Sequence, residues 1–263
     1  MALRLLVAHT PTERDAARRV EAAVFLQAFG NTREVMEEEY GPYEARSRFV
    51  VVLDEDAGSA LGVARLILPD ATGRTKSLLD AARKPWELDV TASLRTAGLV
   101  GRPVWDVGSL AVDRRFRTGG AGAEVTVALC HGVLEYSLRS GTAGLVTILD
   151  DRILRIVRAM GMPWTTMSGA RSEYYLGSPA STPCVMDMDA VTDSIRQRRP
   201  DVAPAIVDGA FRSIVCDAAD LAPERGALLP DPDPVPVRPL PPRRDTTGWR
   251  PPTARRAAGD RAT

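Results

Sequence analysis

A chain of 263 residues with 44% hydrophobic content can bury one core of about 200 residues and still leave length for appendages. Its 34 basic and 34 acidic residues cancel and the isoelectric point lies near 6.8, so no net field draws it to nucleic acid or to an anionic membrane surface. Cys130, Cys184 and Cys216 are an odd, widely spaced set with no CxxC pair and only His9 and His131 as imidazole partners, which argues against a disulfide framework and against a zinc site, so no metal is expected.

The opening Met-Ala-Leu-Arg-Leu-Leu-Val-Ala-His has too short an apolar run for a secretory signal and no small-residue cleavage site. No stretch approaches the roughly 18 apolar residues of a membrane span, so a soluble, cytoplasmic protein is expected. Leu3 to Ala8 suits a buried strand, and Thr10-Pro11-x-Glu13 supplies a cap, an N1 proline and an early acid for a helix running to about Gly30. Arg48 to Leu53 and Leu61 to Leu68 are apolar runs joined by Asp54-Glu55-Asp56-Ala57-Gly58-Ser59, the pattern of a hairpin. Residues 70–102 lack sustained periodicity and read as loop with one or two helical turns around Leu78 to Arg83. Lys76 and Lys84 are the only lysines, an Arg bias that carries no functional reading by itself.

Val104 to Val112 is the next strand, and Gly119 to Arg139 is the clearest helix, with Val125, Ala128, Leu129, Gly132, Val133 and Tyr136 near i, i+3, i+4 spacing. Leu145 to Leu149 reads as a fifth strand, and Asp150-Asp151 opens a helix through Met160 that stops at Gly161 and Pro163. Trp164 to Met167 and Pro183 to Met188 read as a closing pair of strands, and Val191 to Cys216 as one or two helices split near Pro200. The order predicts a mixed α/β fold around one sheet. From about Leu221 the composition changes: half of the chain's 20 prolines follow, interleaved with Arg238, Arg243, Arg244, Arg250, Arg255 and Arg256. Such a segment cannot bury a core and reads as a disordered Pro/Arg-rich tail over 221–263, or as a docking peptide for a partner.

The stretch from Trp105 to Gly122, a strand, a turn and a helix start, carries the chemistry. Glycines at a helix N-terminus let backbone N–H groups approach an anion, and the positive end of the helix dipole adds to the attraction. A glycine turn also arises for steric reasons alone, so its context decides. The Gly-x-Gly-x-x-Gly of a dinucleotide fold, the Gly-Lys-Ser/Thr of a Walker loop and the Gly-x-Ser-x-Gly of a hydrolase are all absent. Cys130 and His131 are adjacent on one helix and point in different directions, so Cys130 reads as core packing.

In this setting Leu110-Ala111-Val112, Arg117, Gly120 and Gly122 resemble the GNAT acyltransferase superfamily over roughly residues 3–188. Its pattern is a strand ending Leu-x-Val, then Gln or Arg five residues on, then x-x-Gly-x-Gly or Ala. The resemblance implies a GNAT-like α/β (α+β) domain over 1–188, one mixed and mostly antiparallel sheet flanked by helices; beyond it the residue pattern reads as a C-terminal helical extension over 189–220. It implies that the main chain near Leu110 and Val112 pairs with the pantetheine arm of a thioester donor. The amides of Thr118, Gly119, Gly120, Ala121 and Gly122, with Arg117 beside them, would hold the donor's phosphates. The donor would be an acyl-CoA, acetyl-CoA or an acyl carrier protein, and the acceptor the amine of a small molecule.

Upstream, Val24-Phe25, Arg48 to Asp54 and Gly62-Val63-Ala64-Arg65-Leu66-Ile67-Leu68-Pro69 look like the first half of the acyl-homoserine-lactone synthases and related N-acyl amino acid synthases. That branch makes Arg65 a candidate for organising the acceptor's carboxylate, the alternative being a strand-edge surface arginine. Departures are Glu21 and Asn31, where the lactone synthases carry Arg and Trp, and Asp106-Val107-Gly108-Ser109-Leu110 where they carry Glu-x-x-Arg-Phe. Homoserine lactone formation is therefore not the expected reaction.

Direct acyl transfer requires a neutral amine, so a group must accept the ammonium proton. Asp106 is the candidate base, with a structural carboxylate pairing an arginine as the alternative. Val157 stands where many GNAT enzymes have the tyrosine that protonates the leaving thiolate, which leaves Tyr174 and Tyr175 as substitute hydroxyls or pocket walls. Competing readings are a non-catalytic acyl-CoA-binding or scaffold module and an ordinary small-molecule N-acetyltransferase.

Overall fold

The computed structural model of the protein describes residues 2–116 and 120–223, the side chains of 120–123 excepted. Arg117, Thr118 and Gly119 of the glycine turn, and the proline-rich segment beyond residue 223, lie outside the described residues. Strand β1 (Leu3–Val7) leads into helix α1 (Pro11–Phe29). The Thr10 hydroxyl accepts the Glu13 N–H at 3.2 Å while the Glu13 carboxylate accepts the Thr10 N–H at 2.9 Å, and Gly30 closes the helix at φ 73°. This reciprocal cap satisfies two N-terminal donors that the helix itself leaves unpaired.

Helix α2 (Arg33–Tyr40) and a 3-10 turn (Gly41–Arg46) precede the hairpin of β2 (Ser47–Asp54) and β3 (Ser59–Ile67). Two short helices, α3 (Lys76–Ala81) and α4 (Val90–Thr96), lie before β4 (Val104–Val112). A turn at Arg114–Phe116 leads to α5 (Gly120–Arg139), then β5 (Gly144–Asp150) and α6 (Asp151–Ala159). The end of the described chain comprises β6 (Thr165–Thr166), β7 (Glu173–Tyr175), β8 (Ser178–Asp187), α7 (Val191–Arg198), α8 (Ala203–Ile206) and β9 (Ile214–Cys216).

Among the described residues the strands form one nine-stranded sheet in the order β6-β8-β5-β4-β3-β2-β1-β9, with β7 paired to β8. The β4–β5 and β1–β9 pairs are parallel and the others antiparallel. Alternate strand residues serve opposite faces, as the period of two requires. Leu5, Val50, Val52 and Ala64 pack with Val125, Leu129 and Val133 of α5, while Leu6, Val51 and Val63 pack with Ala17, Val20 and Val24 of α1.

Four segments differ from the sequence expectation. Residues 70–102 hold two helices, the second unannounced by periodicity because it spans only Val90–Thr96. The expected helices over Val191 to Cys216 are α7 and α8, but Ile214–Cys216 is a strand that pairs with β1, a contact fixed by tertiary burial of Ile214. Trp164 to Met167 contributes only two strand residues, and β8 begins at Ser178, earlier than its apolar run. Residues 31–46 carry α2 and the 3-10 turn.

Gly132 lies where α5 packs closely on the sheet. A Cβ there would lie 2.5 Å from Val50 Cγ1 and 3.2 Å from Leu5 Cδ1. Gly132→Val therefore overpacks the α5 side of the core at a cost of about 3 kcal/mol. Thermal unfolding should show Tm lowered by roughly 6–12 °C.

Candidate active site

Strands β4 and β5 are paired for only three rungs, Val104 with Gly144, Trp105 with Leu145 and Asp106 with Val146. Both strands continue, to Val112 and Asp150, without further ladder pairing among the described residues. Just past the last rung the Thr147 hydroxyl donates to the Val107 carbonyl at 2.8 Å. The ladder between the strands therefore ends at Asp106, and Leu110, Leu149, Phe116 and Ile153, each half-buried, pack against the core on the α5 side. On the opposite edge β4 carries a bulge, because Leu66 pairs with Val107 and Arg65 with Ser109, which leaves Gly108 over. A Cβ at Gly108 would meet Ile67 Cδ1 at 2.9 Å and Tyr40 Cε1 at 3.3 Å, and its carbonyl accepts the Tyr40 hydroxyl at 2.7 Å. A bulge of this kind turns strand residues onto a common face: Asp106 and Ser109 both meet groups contributed by the helices that cover the α1 side.

The result is a buried polar seam. At one end the Arg65 guanidinium donates to both Glu21 oxygens, at 3.0 and 2.6 Å, to Glu44 at 2.9 Å and to the Ser47 hydroxyl at 3.0 Å. The Ser109 hydroxyl donates to Glu21 as well. Arg65 lies between the rings of Phe49 and Tyr40, at 4.5 and 4.9 Å from their centroids. Burial opposes its charge, but Glu21 and Glu44 outweigh burial and raise its pKa above the ordinary value. Across the Tyr40 ring lies the Lys76 ammonium, 5.2 Å from the centroid.

Lys76 donates to Asp80 at 2.6 Å and to the Tyr175 hydroxyl at 2.8 Å, and pairs with Glu39 at 2.9 Å. Burial alone would lower its pKa, but Asp80, Tyr40 and Glu39 together raise it and hold the ammonium charged. Tyr175 in turn donates to Asp80 at 2.6 Å and packs against Trp86, whose indole N–H donates to the Arg171 carbonyl at 2.8 Å. Next along the chain, Ser77 gives its N–H (2.5 Å) and its hydroxyl (2.8 Å) to the two oxygens of Asp106. Asp106 is fully buried, and burial pushes its carboxyl from 3.8 up to about 6, against the opposing pull of Ser77 and Lys76. A carboxyl that titrates near neutrality can accept a proton at physiological pH.

The residues singled out from sequence fall as follows. Asp106 lies at the last rung of the β4–β5 pair, Leu110 is half-buried and Val112 buried beyond it. Arg65 is buried, and the surface-arginine alternative is not what the structure shows. Tyr175 belongs to the Lys76 cluster while Tyr174, the residue before it on β7, is exposed. Arg117, Thr118 and Gly119 lie outside the described residues, and Gly120, Ala121 and Gly122 begin α5. Cys130 is buried in the core, where burial pushes its thiol up to about 12.

Sequence reading missed Glu21 as a partner of Arg65, and missed Tyr40, Lys76, Ser77 and Asp80. A groove of about 490 Å³ between α1 and the turn after β4 is lined by Arg19, Gln27, Arg114 and Arg115 over an aliphatic floor that includes Val20 and Val24. None of the seam residues lines it.

One mostly antiparallel sheet with helices on both faces, in this order, is a GNAT-like fold. FeeM, an N-acyl amino acid synthase from uncultured soil microbes, is similar in structure at 16% identity, over 73% of this chain and 95% of that one, with a TM-score of 0.55. BjaI, a CoA-dependent acyl-homoserine lactone synthase solved with SAM and isopentyl-CoA, matches at 14% identity over 86% and 97%, with a TM-score of 0.48. The mosquito protein arylalkylamine N-acetyltransferase-like 5b matches at 16% identity over 71% and 100%, with a TM-score of 0.49. At 16% identity the likeness to FeeM is one of fold. No family model matches the chain, and no curated protein matches it. Among the described residues no helix is long and apolar enough to cross a membrane.

Proposed function

We propose that this protein transfers an acyl group from an acyl thioester to the amine of a small molecule by direct attack. The observation that supports this reading is the end of the β4–β5 ladder at Asp106, a carboxyl that titrates near neutrality. The pantetheine arm would enter beyond the last rung, along Leu110 and Val112. Its phosphates would lie at Arg117, Thr118, Gly119, Gly120, Ala121 and Gly122, where the start of α5 offers N–H donors. Arg114 on the neighbouring groove would add positive charge, Arg115 there being already paired with Asp113.

The amine nitrogen attacks the thioester carbonyl carbon, the C–N bond forms and the C–S bond breaks. The ammonium proton passes to Asp106, and the departing thiolate takes a proton from solvent or from Tyr174, the exposed hydroxyl of the pair. Tyr175, its proton held by Asp80, positions Lys76. Arg65 acts through Tyr40 and Glu44, holding the covering segment against the sheet.

Release of CoA from C2 to C16 thioesters, measured against a panel of amines, tests the reading. Turnover is expected with acyl-CoA, a carrier-protein donor is compared in parallel, and Gly120→Glu should abolish donor binding. Preference for the C2 donor would assign an N-acetyltransferase. Donor binding with no CoA release from any pair would instead assign a binding module, and failure to bind any thioester would remove both.

A further inference from the structure

We propose that the acceptor is an amine cation that carries no carboxylate, a reading that rests on the acyl-transfer function above. The two buried cations of the seam cannot offer an incoming carboxylate a two-point contact, since one N–H of Arg65 is all that their partners leave over. Lys76 has three N–H donors, and Asp80, Glu39 and the Tyr175 hydroxyl occupy that number. Arg65 uses four of its five on Glu21, Glu44 and Ser47.

What the seam presents towards solvent is acidic at its Lys76 end. The Glu39 side chain is 19% exposed, whereas those of Lys76 and Arg65 are 3% and 4% exposed. Glu39, Asp80 and Asp106 gather three carboxyl groups around the ammonium of Lys76, with Arg46 another cation near them, and α2 adds the exposed Glu37 and Glu38, its Glu34 being matched by Arg33. At the other end Glu44 is already matched by Arg18, Arg14 and Arg65, so the excess is local to Lys76.

A second observation at the same end points to an absent polar partner. The Thr75 hydroxyl, in the residue before Lys76, is buried and has no hydrogen-bond partner. A buried hydroxyl left unmade is costly, and a bound amine or a water ordered by it would satisfy the group. An ammonium placed among these carboxyls is attracted. A carboxylate two bonds from that ammonium meets the same field with the opposite sign.

The test compares each amine with its amino acid: tyramine with tyrosine, tryptamine with tryptophan, agmatine with arginine, and putrescine with ornithine. CoA release is followed with one saturating acyl-CoA. For at least one pair the amine should exceed its amino acid in kcat/KM by about tenfold or more. The methyl ester of that amino acid, equal in bulk but without the negative charge, should recover most of the difference. In Glu39→Gln, checked for an unchanged Tm, the ratio should shrink.

Equal or better turnover of the amino acids, or a methyl ester as poor as the free acid, would overturn the inference while leaving acyl transfer intact. CoA release with no amine of either kind would overturn the acyl-transfer reading and this one with it.

Discussion

Arg65→Ala should lower Tm by roughly 6–20 °C, as read by calorimetry or circular dichroism. The magnitude follows from what is left behind. Glu21 is 2% exposed and would keep only the Ser109 hydroxyl in place of a two-point guanidinium contact. Removing one partner of a buried ion pair costs about 3–5 kcal/mol, because the surviving charge is neither hydrated nor matched. For a domain of this size each kcal/mol moves Tm by roughly 2–4 °C. The truncation also empties the space between Phe49 and Tyr40.

Arg65→Lys, which keeps the charge but not the fork that meets both Glu21 oxygens, should fall between wild type and alanine. The double variant Arg65→Met with Glu21→Gln should be more stable than Arg65→Ala, since it removes the orphaned charge and refills the volume. A double variant no better than the single would mean that neither the orphaned charge nor the lost volume accounts for the cost of Arg65→Ala.

Much of the frame is legible in the chain because short-range physics writes it there. The cap at Thr10 and Glu13, the αL stop at Gly30, the hairpin and the β4–α5–β5 order all follow from local pattern. Arg65 is visible as a charge inside an apolar run, since the strand 62–68 has no other polar side chain. Glu21 could have been found the same way, because Ala17, Val20 and Val24 place it on the buried stripe of α1 at i, i+3, i+4 spacing.

The Lys76 end of the seam is different. A helix of six residues has no periodicity to detect, and a lysine is by default a surface residue. Only the tertiary placement of α3 over the β4 bulge, with Tyr175 arriving from 99 positions away, converts Lys76, Ser77 and Asp80 into one cluster. The same holds for β9, whose three residues become a strand only because β1 offers them an edge.

Asp106→Asn is the variant in which function and stability should move apart. If Asp106 accepts the ammonium proton, exchanging it for an amide removes the base but keeps the shape, and kcat should fall by about a hundredfold to ten-thousandfold. The amide can still accept the Ser77 N–H and meet its hydroxyl, so the fold should hold.

Stability supplies a second readout with a definite sign. The folded-state pKa, about 6, lies above the ordinary 3.8. Between these values the folded state therefore binds more protons than the unfolded one, and this carboxyl makes stability fall as pH rises from about 4 to about 6. The rise corresponds to roughly 3 kcal/mol. The wild type should accordingly lose stability relative to Asp106→Asn across that interval, and the variant should be at least as stable at pH 7.

Activity runs the other way. The wild-type kcat/KM should climb with pH as Asp106 ionises, on a limb that reports the free enzyme. An acid limb that survives in Asp106→Asn with unchanged kcat would move the base elsewhere in the seam, and Asp80, which already accepts the Tyr175 proton, is the next carboxylate to exchange.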